Sequence, residues 1–251
     1  MIDSPLSEGK KVLHSIDPRL KIVLLFFYSF IVALEKNPRI LLYASILPLL
    51  FLCGMRDSFR IIIKRMLPVN GFILLLWLFI PFTFPGEIIS RVGSLSITRE
   101  GIFYCLIITW KSNLIFLASL LFLSTSPVFH LVHALHHLRL PSKLVQLFYF
   151  TYRYIPVIYG EYNRLREAMR VRGFKPGNNL HTLRTTGYLV GMLLLRSQER
   201  SERVYQAMLA RGFQGIFWNF HHFAWKRKDT LFLVIFILYF MGLGWVKWSL
   251  S

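Results

Sequence analysis

Residues 226–247 read KRKDTLFLVIFILYFMGLGWVK. Three basic residues lead the segment, the stretch from Thr230 to Val246 carries no formal charge, and Lys247 closes it. A bilayer core takes a helix of about 17–25 apolar residues, and cationic side chains at its ends reach for headgroups. This segment therefore predicts a membrane-spanning helix. Four more stretches have the same character, at roughly Leu20–Leu34, Ile40–Met55, Val69–Pro85 and Ile102–Leu123. The first two are short for a span, but Lys21, Lys36 and Arg39 stand where they can snorkel to the interface. Five spans are expected.

Composition agrees. Of 251 residues, 55% are hydrophobic and 16% aromatic, only 17% are charged, and mean hydropathy is +0.50. Soluble domains carry about 25% charged residues, so a water-soluble enzyme is disfavoured, and so much apolar content excludes a disordered chain. Cys53 and Cys105 lie inside apolar runs and read as core residues. Charges through the first twenty residues argue against a cleavable signal peptide, so the first apolar stretch is expected to stay as a membrane helix.

The 30 Lys and Arg against 12 Asp and Glu give a formal charge of +18, and their distribution sets topology. With the N-terminus inside and five alternating spans, 24 basic residues fall on the inner side, 16 of them between residues 125 and 228. Counting only short loops, inner ones still carry more positive charge than outer ones, which favours N-terminus in and C-terminus out. The domain plan that follows has four spans in residues 1–124, a cytoplasmic domain in 125–228 and the last span in 229–251.

The stretch 125–228 differs from the rest. Pro127, Pro141, Pro156 and Pro176 punctuate it, and apolar stripes alternate with charges at helical spacing. A short helix is expected between Pro127 and Leu140, a long one from about Ser142 to Arg172, and another from about His181 to Arg211. Ile158, Tyr162, Leu165 and Met169 form one stripe of the second, beside Glu161, Arg164, Glu167 and Arg170. Arg196, Glu199, Arg200 and Arg203 form the polar side of the third. Leu144–Gly160 is apolar apart from Gln146 and Arg153, so it reads either as part of an amphipathic helix or as a sixth span.

Within this stretch a motif repeats. Ala168-Met169-Arg170-Val171-Arg172-Gly173-Phe174 and Ala207-Met208-Leu209-Ala210-Arg211-Gly212-Phe213 share Ala-Met-x-x-Arg-Gly-Phe, each at the end of an amphipathic helix. Glycine just past a helix end adopts the left-handed conformation that closes it, and the flanking Met and Phe form the accompanying apolar pair. Met169, Gly173 and Phe174, and likewise Met208, Gly212 and Phe213, are thus explained as helix stops. The stop alone does not require arginine at the same offset twice. Arg172 and Arg211 each offer a rigid fork suited to a carboxylate, which suggests docking into two equivalent grooves of a dimeric or pseudo-symmetric cytoplasmic partner.

With these motifs in view, the chain resembles the transmembrane T component of energy-coupling-factor (ECF) transporters, the CbiQ/EcfT family. The resemblance rests on Asp17-Pro18-Arg19-Leu20-Lys21 before the first span, Thr125-Ser126-Pro127 after the fourth, Arg153-Tyr154-Ile155-Pro156, and the two Arg-Gly helix ends. It implies an all-α integral membrane protein with about five spans and about three cytoplasmic coupling helices. It also implies that Val171-Arg172-Gly173 and Ala210-Arg211-Gly212 dock two ATP-binding-cassette ATPases. The first copy has Val171 where the family usually has alanine. The implied partners are those ATPases, a small substrate-binding membrane S component and the bilayer of the bacterial inner membrane. The implied role is uptake of a vitamin or of cobalt or nickel ions, with no cofactor and no catalytic residue in this chain.

Other candidates are weaker. His130, His133, His136 and His137 cluster on the short helix, and His133 and His137 have a chelating spacing, but no third ligand is evident and a solvated face explains them. Lys111, within the fourth span, either lines a substrate path or packs on a helix carbonyl or a partner. No phosphate-binding G-x-x-x-x-G-K-[ST] loop occurs, so ATP hydrolysis is not expected here. Nucleic-acid binding is not expected either, because the charge follows membrane sidedness. The alternative function is an integral membrane enzyme acting on lipid or isoprenoid, with Lys111, Arg153 and the histidines as its polar centre.

Overall fold

A computed structural model describes residues 16–54, 59–92, 95–138, 140–215 and 227–249. The elements are helices α1 (Pro18–Leu34), α2 (Pro38–Gly54) and α3 (Phe59–Thr83), strands β1 (Ile88–Val92) and β2 (Leu95–Thr98), and helices α4 (Arg99–Leu123), α5 (Val128–His137), α6 (Ser142–Val171), α7 (Leu180–Ala210) and α8 (Arg227–Ser249). The described residues fall in two compact units, one holding α1–α4, the strands and α8, the other holding α6 and α7, with the division inside α5.

Among the described residues, three helices, α3, α4 and α8, are long and apolar enough to cross a membrane. The helices α1 and α2 have 17 residues each. At about 1.5 Å per residue each covers roughly 25 Å, the lower limit for a span. α6 is not among the helices apolar enough to cross. Leu144–Gly160 is therefore the first part of a 30-residue amphipathic helix, and Arg153 on it is exposed.

The membrane unit is organised around α4, which packs against α1, α2 and α3, while α8 closes on α1 and α2. Leu24, Tyr28 and Val32 of α1 meet Leu41 and Ala44 of α2, Leu114, Ala118 and Phe122 of α4, and Phe232 and Phe236 of α8. Ile62 of α3 packs separately on Leu117 and Leu121 of α4. Away from these contacts, side chains such as Phe26, Leu50, Leu74 and Leu238 are exposed, as expected of surfaces that face lipid.

Pro48 of α2 has no N–H to donate, so the carbonyl four residues earlier, on Ala44, is left without its helical partner. Two tyrosines supply it. Tyr28 of α1 donates its hydroxyl to Ala44 O at 2.9 Å, and Tyr239 of α8 donates to the same oxygen at 3.0 Å. A break in one helix thus becomes the point that ties three helices together. Between α3 and α4, Asn70 and Asn113 exchange amide hydrogen bonds at 3.0 and 3.1 Å.

The strands β1 and β2 form an antiparallel hairpin, pairing Val92 with Leu95 and Ser90 with Ile97. It is an addition to the all-helical expectation. Five or fewer residues per strand leave little periodicity to read, and the sequence 88–98 lies between two much stronger apolar runs. The hairpin is tied back to the helices: Thr98 donates its hydroxyl to Phe84 O at 2.9 Å, and Glu100 accepts from the Glu87 amide at 2.8 Å. Where α1 ends, Glu35 accepts from the Lys36 and Asn37 amides and pairs with Lys247 at 3.2 Å. Burial would raise its pKa, but those amides and the Lys247 ammonium outweigh it and hold the carboxyl below its ordinary range.

Candidate functional site

The repeated motif closes α6 and α7 in the same way. At the end of α6, Arg172 is the C-cap and Gly173 has φ of +78°; at the end of α7, Arg211 is the C-cap and Gly212 has φ of +79°. Phe174 N donates to Met169 O and Gly173 N to Arg170 O, both at 3.0 Å. Phe213 N donates to Met208 O at 3.0 Å and Gly212 N to Leu209 O at 2.9 Å. These are the two bonds of a Schellman ending, made twice. Met169, Phe174, Met208 and Phe213 are half-buried, while Arg172, Gly173, Ala210, Arg211 and Gly212 are exposed. The stop thus holds its apolar pair inward and turns its arginine out. Val171, the departure from the family pattern, is 89% exposed, so its extra methyl groups meet no neighbour within this chain that they must displace.

The two ends are not brought together. Glu161 of α6 accepts from Arg196 Nη1 of α7, with Arg164 3.6 Å from its other oxygen. Further along, Gln146 Nε2 at the start of α6 donates to Gly215 O, just past α7, at 3.1 Å. Numbers rise along one helix as they fall along the other, so the pair is antiparallel and pinned at Glu161–Arg196. From that pin, Arg172 lies about 16 Å on along α6 and Arg211 about 22 Å on along α7, in the opposite direction, at about 1.5 Å per residue. Two equivalent basic ends therefore stand at opposite extremes of one unit, on the order of 40 Å apart if the helices are near collinear.

Their surroundings are not identical. A groove of about 500 Å³ runs between the first half of α6 and the last half of α7, lined by Phe150, Tyr154, Tyr205, Met208 and Phe213 among others. A second, of about 350 Å³, lies beside the pin and is lined by Glu161, Arg196, Glu199, Arg200 and Arg203. The charged faces read from the sequence thus meet in space. Periodicity showed that Glu161 and Arg196 lie on polar faces, but it carries no information about which face of one helix meets which face of the other.

The remaining motif residues gather in the membrane unit. Lys21, fully buried, donates from Nζ to Thr125 Oγ1 at 3.1 Å and to Ser126 Oγ at 2.8 Å. Asp17 caps α1 by accepting from the Arg19 amide at 2.9 Å, and its own amide donates to Asp229 Oδ1 at 2.9 Å. Segments more than a hundred residues apart thus share one buried polar cluster.

Lys111 donates from Nζ to Ala33 O at 2.9 Å, in the last turn of α1. There it satisfies a carbonyl at a helix C-terminus and places its charge on the negative end of the dipole. Of the two readings of Lys111, this is the one its geometry meets. Among the described residues, no group of three or more His, Cys, Asp or Glu side chains is placed to hold a metal. His130, His133 and His137 lie on α5; the side chain of His136 is outside the described residues.

The sequence pattern of the CbiQ family, described as cobalt transport protein, matches residues 9–222. The chain is 28% identical over 245 residues to the energy-coupling factor transporter transmembrane protein EcfT of Streptococcus equi, covering 92% of this chain and 90% of that one. It is 26% identical to the protein of the same name from Bacillus subtilis and 29% identical to that from Listeria innocua, with 95% of both chains covered in each case.

Proposed function

The chain belongs to the CbiQ family, and from that premise we propose that it is the transmembrane coupling subunit of an ECF importer, in which Arg172 and Arg211 dock two cytoplasmic ATPases. In this reading it joins those ATPases to a small substrate-binding membrane protein and drives uptake of a vitamin or of cobalt or nickel ions. The five-span topology, with the N-terminus and residues 125–228 on the cytoplasmic side of the inner membrane, belongs to the same proposal. The observation that carries it is the pair of equivalent, exposed arginine ends at opposite extremes of a pinned helix pair. One end would serve a helix stop; two at matched geometry suit a partner with two matched grooves.

The mechanism follows from that spacing. Each guanidinium would insert into a groove of one ATPase and meet a carboxylate there. When the ATPases close on ATP, the distance between the grooves changes. The Glu161–Arg196 pin converts that change into a movement of α6 against α7, because both helices are continuous beyond it. Work is transmitted only if the closed ATPases contact these ends differently from the open ones.

The test reverses both charges. A desolvated interfacial charge pair costs about 2–5 kcal/mol when one partner is lost, so Arg172→Glu/Arg211→Glu should abolish co-purification of ATPases with the membrane-inserted chain. Retention of ATPases and of uptake in that variant would sink the docking assignment. Separately, Arg172→Glu alone should lose less than the double variant, since the second end still holds.

A further inference from the structure

The chain leaves the membrane unit through α5, whose first half still belongs to that unit, and returns to it at α8. The turn ahead of α5 and the start of α8 meet in one buried cluster. The turn ahead of α5 reads Ser124-Thr125-Ser126-Pro127, and two side chains and one backbone amide from other helices or their caps converge on it and on the start of α8. Lys21 of α1 donates to Thr125 Oγ1 and Ser126 Oγ. Arg65 of α3 donates from Nη1 to Ser124 Oγ at 3.0 Å. On the return side, Asp229 in the first turn of α8 accepts from the Asp17 amide, one turn before Lys21 on the same helix start. Thr125 keeps its hydrogen for Leu121 O at 2.9 Å, so its oxygen is free to accept from the ammonium.

Burial makes this arrangement costly unless it is complete. Lys21, Thr125 and Asp229 are 0–1% exposed, and Asp17 and Ser126 are also buried. A buried ammonium with two hydroxyl acceptors and two nearby carboxylates, Asp17 and Asp229, is satisfied only while all three segments keep their places. Such a cluster does not slide; it holds or it breaks. A hydrophobic contact at the same place would tolerate a shift of an ångström or more, whereas these bonds lose most of their strength when stretched that far.

We propose that the Lys21–Thr125–Ser126–Asp17–Asp229 cluster is the mechanical anchor of the coupling unit, and that Lys21 is a positioning residue through which nucleotide-driven movement of α6 and α7 reaches the membrane helices. The proposal rests on the reading of the chain as an ECF coupling subunit. The coupling helices α6 and α7 are joined to the membrane unit by the chain through α5, whose first half belongs to that unit, and by the chain that returns to α8. The cluster ties the turn ahead of α5 and the start of α8 to the start of α1, so a displacement that reaches either is delivered to α1 and α8 together rather than absorbed in a loose turn.

Two variants test it in the whole complex, purified through this chain and placed in nanodiscs. Thr125→Ala/Ser126→Ala removes the acceptors and leaves the charges unaltered. Lys21→Met/Asp229→Asn removes one positive and one negative charge, and the asparagine keeps an oxygen for the Asp17 amide. Hydrogen–deuterium exchange is compared without nucleotide and after trapping with ATP and vanadate. In the wild-type complex trapping should change exchange both in residues 161–213 and around residues 17–21 and 229–233. In at least one variant the second change should fall fivefold or more, with the first change and ATP hydrolysis kept within twofold. A purely structural role would alter exchange in both states alike and leave the nucleotide-dependent difference intact. The proposal is overturned if the change around 17–21 and 229–233 is undiminished in both variants, or absent from the wild type. If wild-type chain carries no ATPases at all, the coupling-subunit reading fails first, and that result is recognisable before any variant is compared.

Discussion

The membrane unit and the α6–α7 unit use the same residue types in opposite ways. In the first, α1 alone buries Pro18, Leu20, Lys21, Leu24, Leu25, Tyr28 and Val32 within 17 residues. Across the whole of α6 and α7 only Val145 is buried. The polar contacts differ in the same sense: the Lys21 cluster is sealed from solvent, while Arg196 in the Glu161 pair stays 46% exposed. Helices in lipid gain little from apolar burial as such, so they are joined by close packing and by polar groups that must be satisfied internally. The α6–α7 unit instead leaves its apolar and basic faces open, as a part whose partners are other chains should.

That contrast can be broken or sharpened by substitution. The largest effect is expected at Lys21. Lys21→Met removes the buried ammonium that lies near Asp17 and Asp229, and should lower the stability of the detergent-solubilised chain by about 3–5 kcal/mol, read as the midpoint of denaturant unfolding. A shift too small to resolve would mean that the cluster contributes nothing beyond packing. Next comes the Ala44 carbonyl. Tyr28→Phe/Tyr239→Phe removes both donors and leaves a buried acceptor unsatisfied, at a cost of about 1–3 kcal/mol, while either single variant should cost less than half as much because the other tyrosine remains. Equal losses for single and double variants would show that the two bonds are not interchangeable. The smallest effect belongs to the exposed pair. Glu161→Gln should change global stability by about 0–1 kcal/mol. Its mark should appear instead as faster hydrogen exchange in α6 and α7. A loss as large as that of Lys21→Met would erase the distinction between the two units.

The residues most readable from the sequence were those whose role is local. A Schellman ending is written in seven consecutive residues, so the left-handed φ of Gly173 and Gly212 and the backbone bonds from Phe174 to Met169 and from Phe213 to Met208 follow from local sequence. Apolar runs long enough to span a bilayer are likewise local, and α3, α4 and α8 lie where Val69–Pro85, Ile102–Leu123 and Thr230–Val246 were read, with α3 beginning ten residues earlier on Arg60, Lys64 and Arg65. The start of α3 was missed because its charges interrupt the apolar run, although a helix tolerates them wherever they reach polar partners, as Arg65 does at Ser124.

The less legible features join distant segments. Asp17 to Lys21 and Thr125 to Pro127 were both noticed as motifs, yet nothing in either announces that Lys21 donates to Thr125 and Ser126, or that Asp229 completes the set. Composition and hydropathy determined the membrane habitat, charge asymmetry the proposed orientation, and a repeated heptapeptide the two helix ends. Only the tertiary structure decided that those ends lie at opposite extremes of an antiparallel pair, that Lys111 caps α1, and that the turn ahead of α5 and the start of α8 are both held at the start of α1, beside one buried lysine. The physical reason is range. Helix propensity, capping and hydrophobic length act over a few neighbouring residues, whereas the partner of a buried charge is chosen by packing among helices that the chain brings together from more than a hundred residues away.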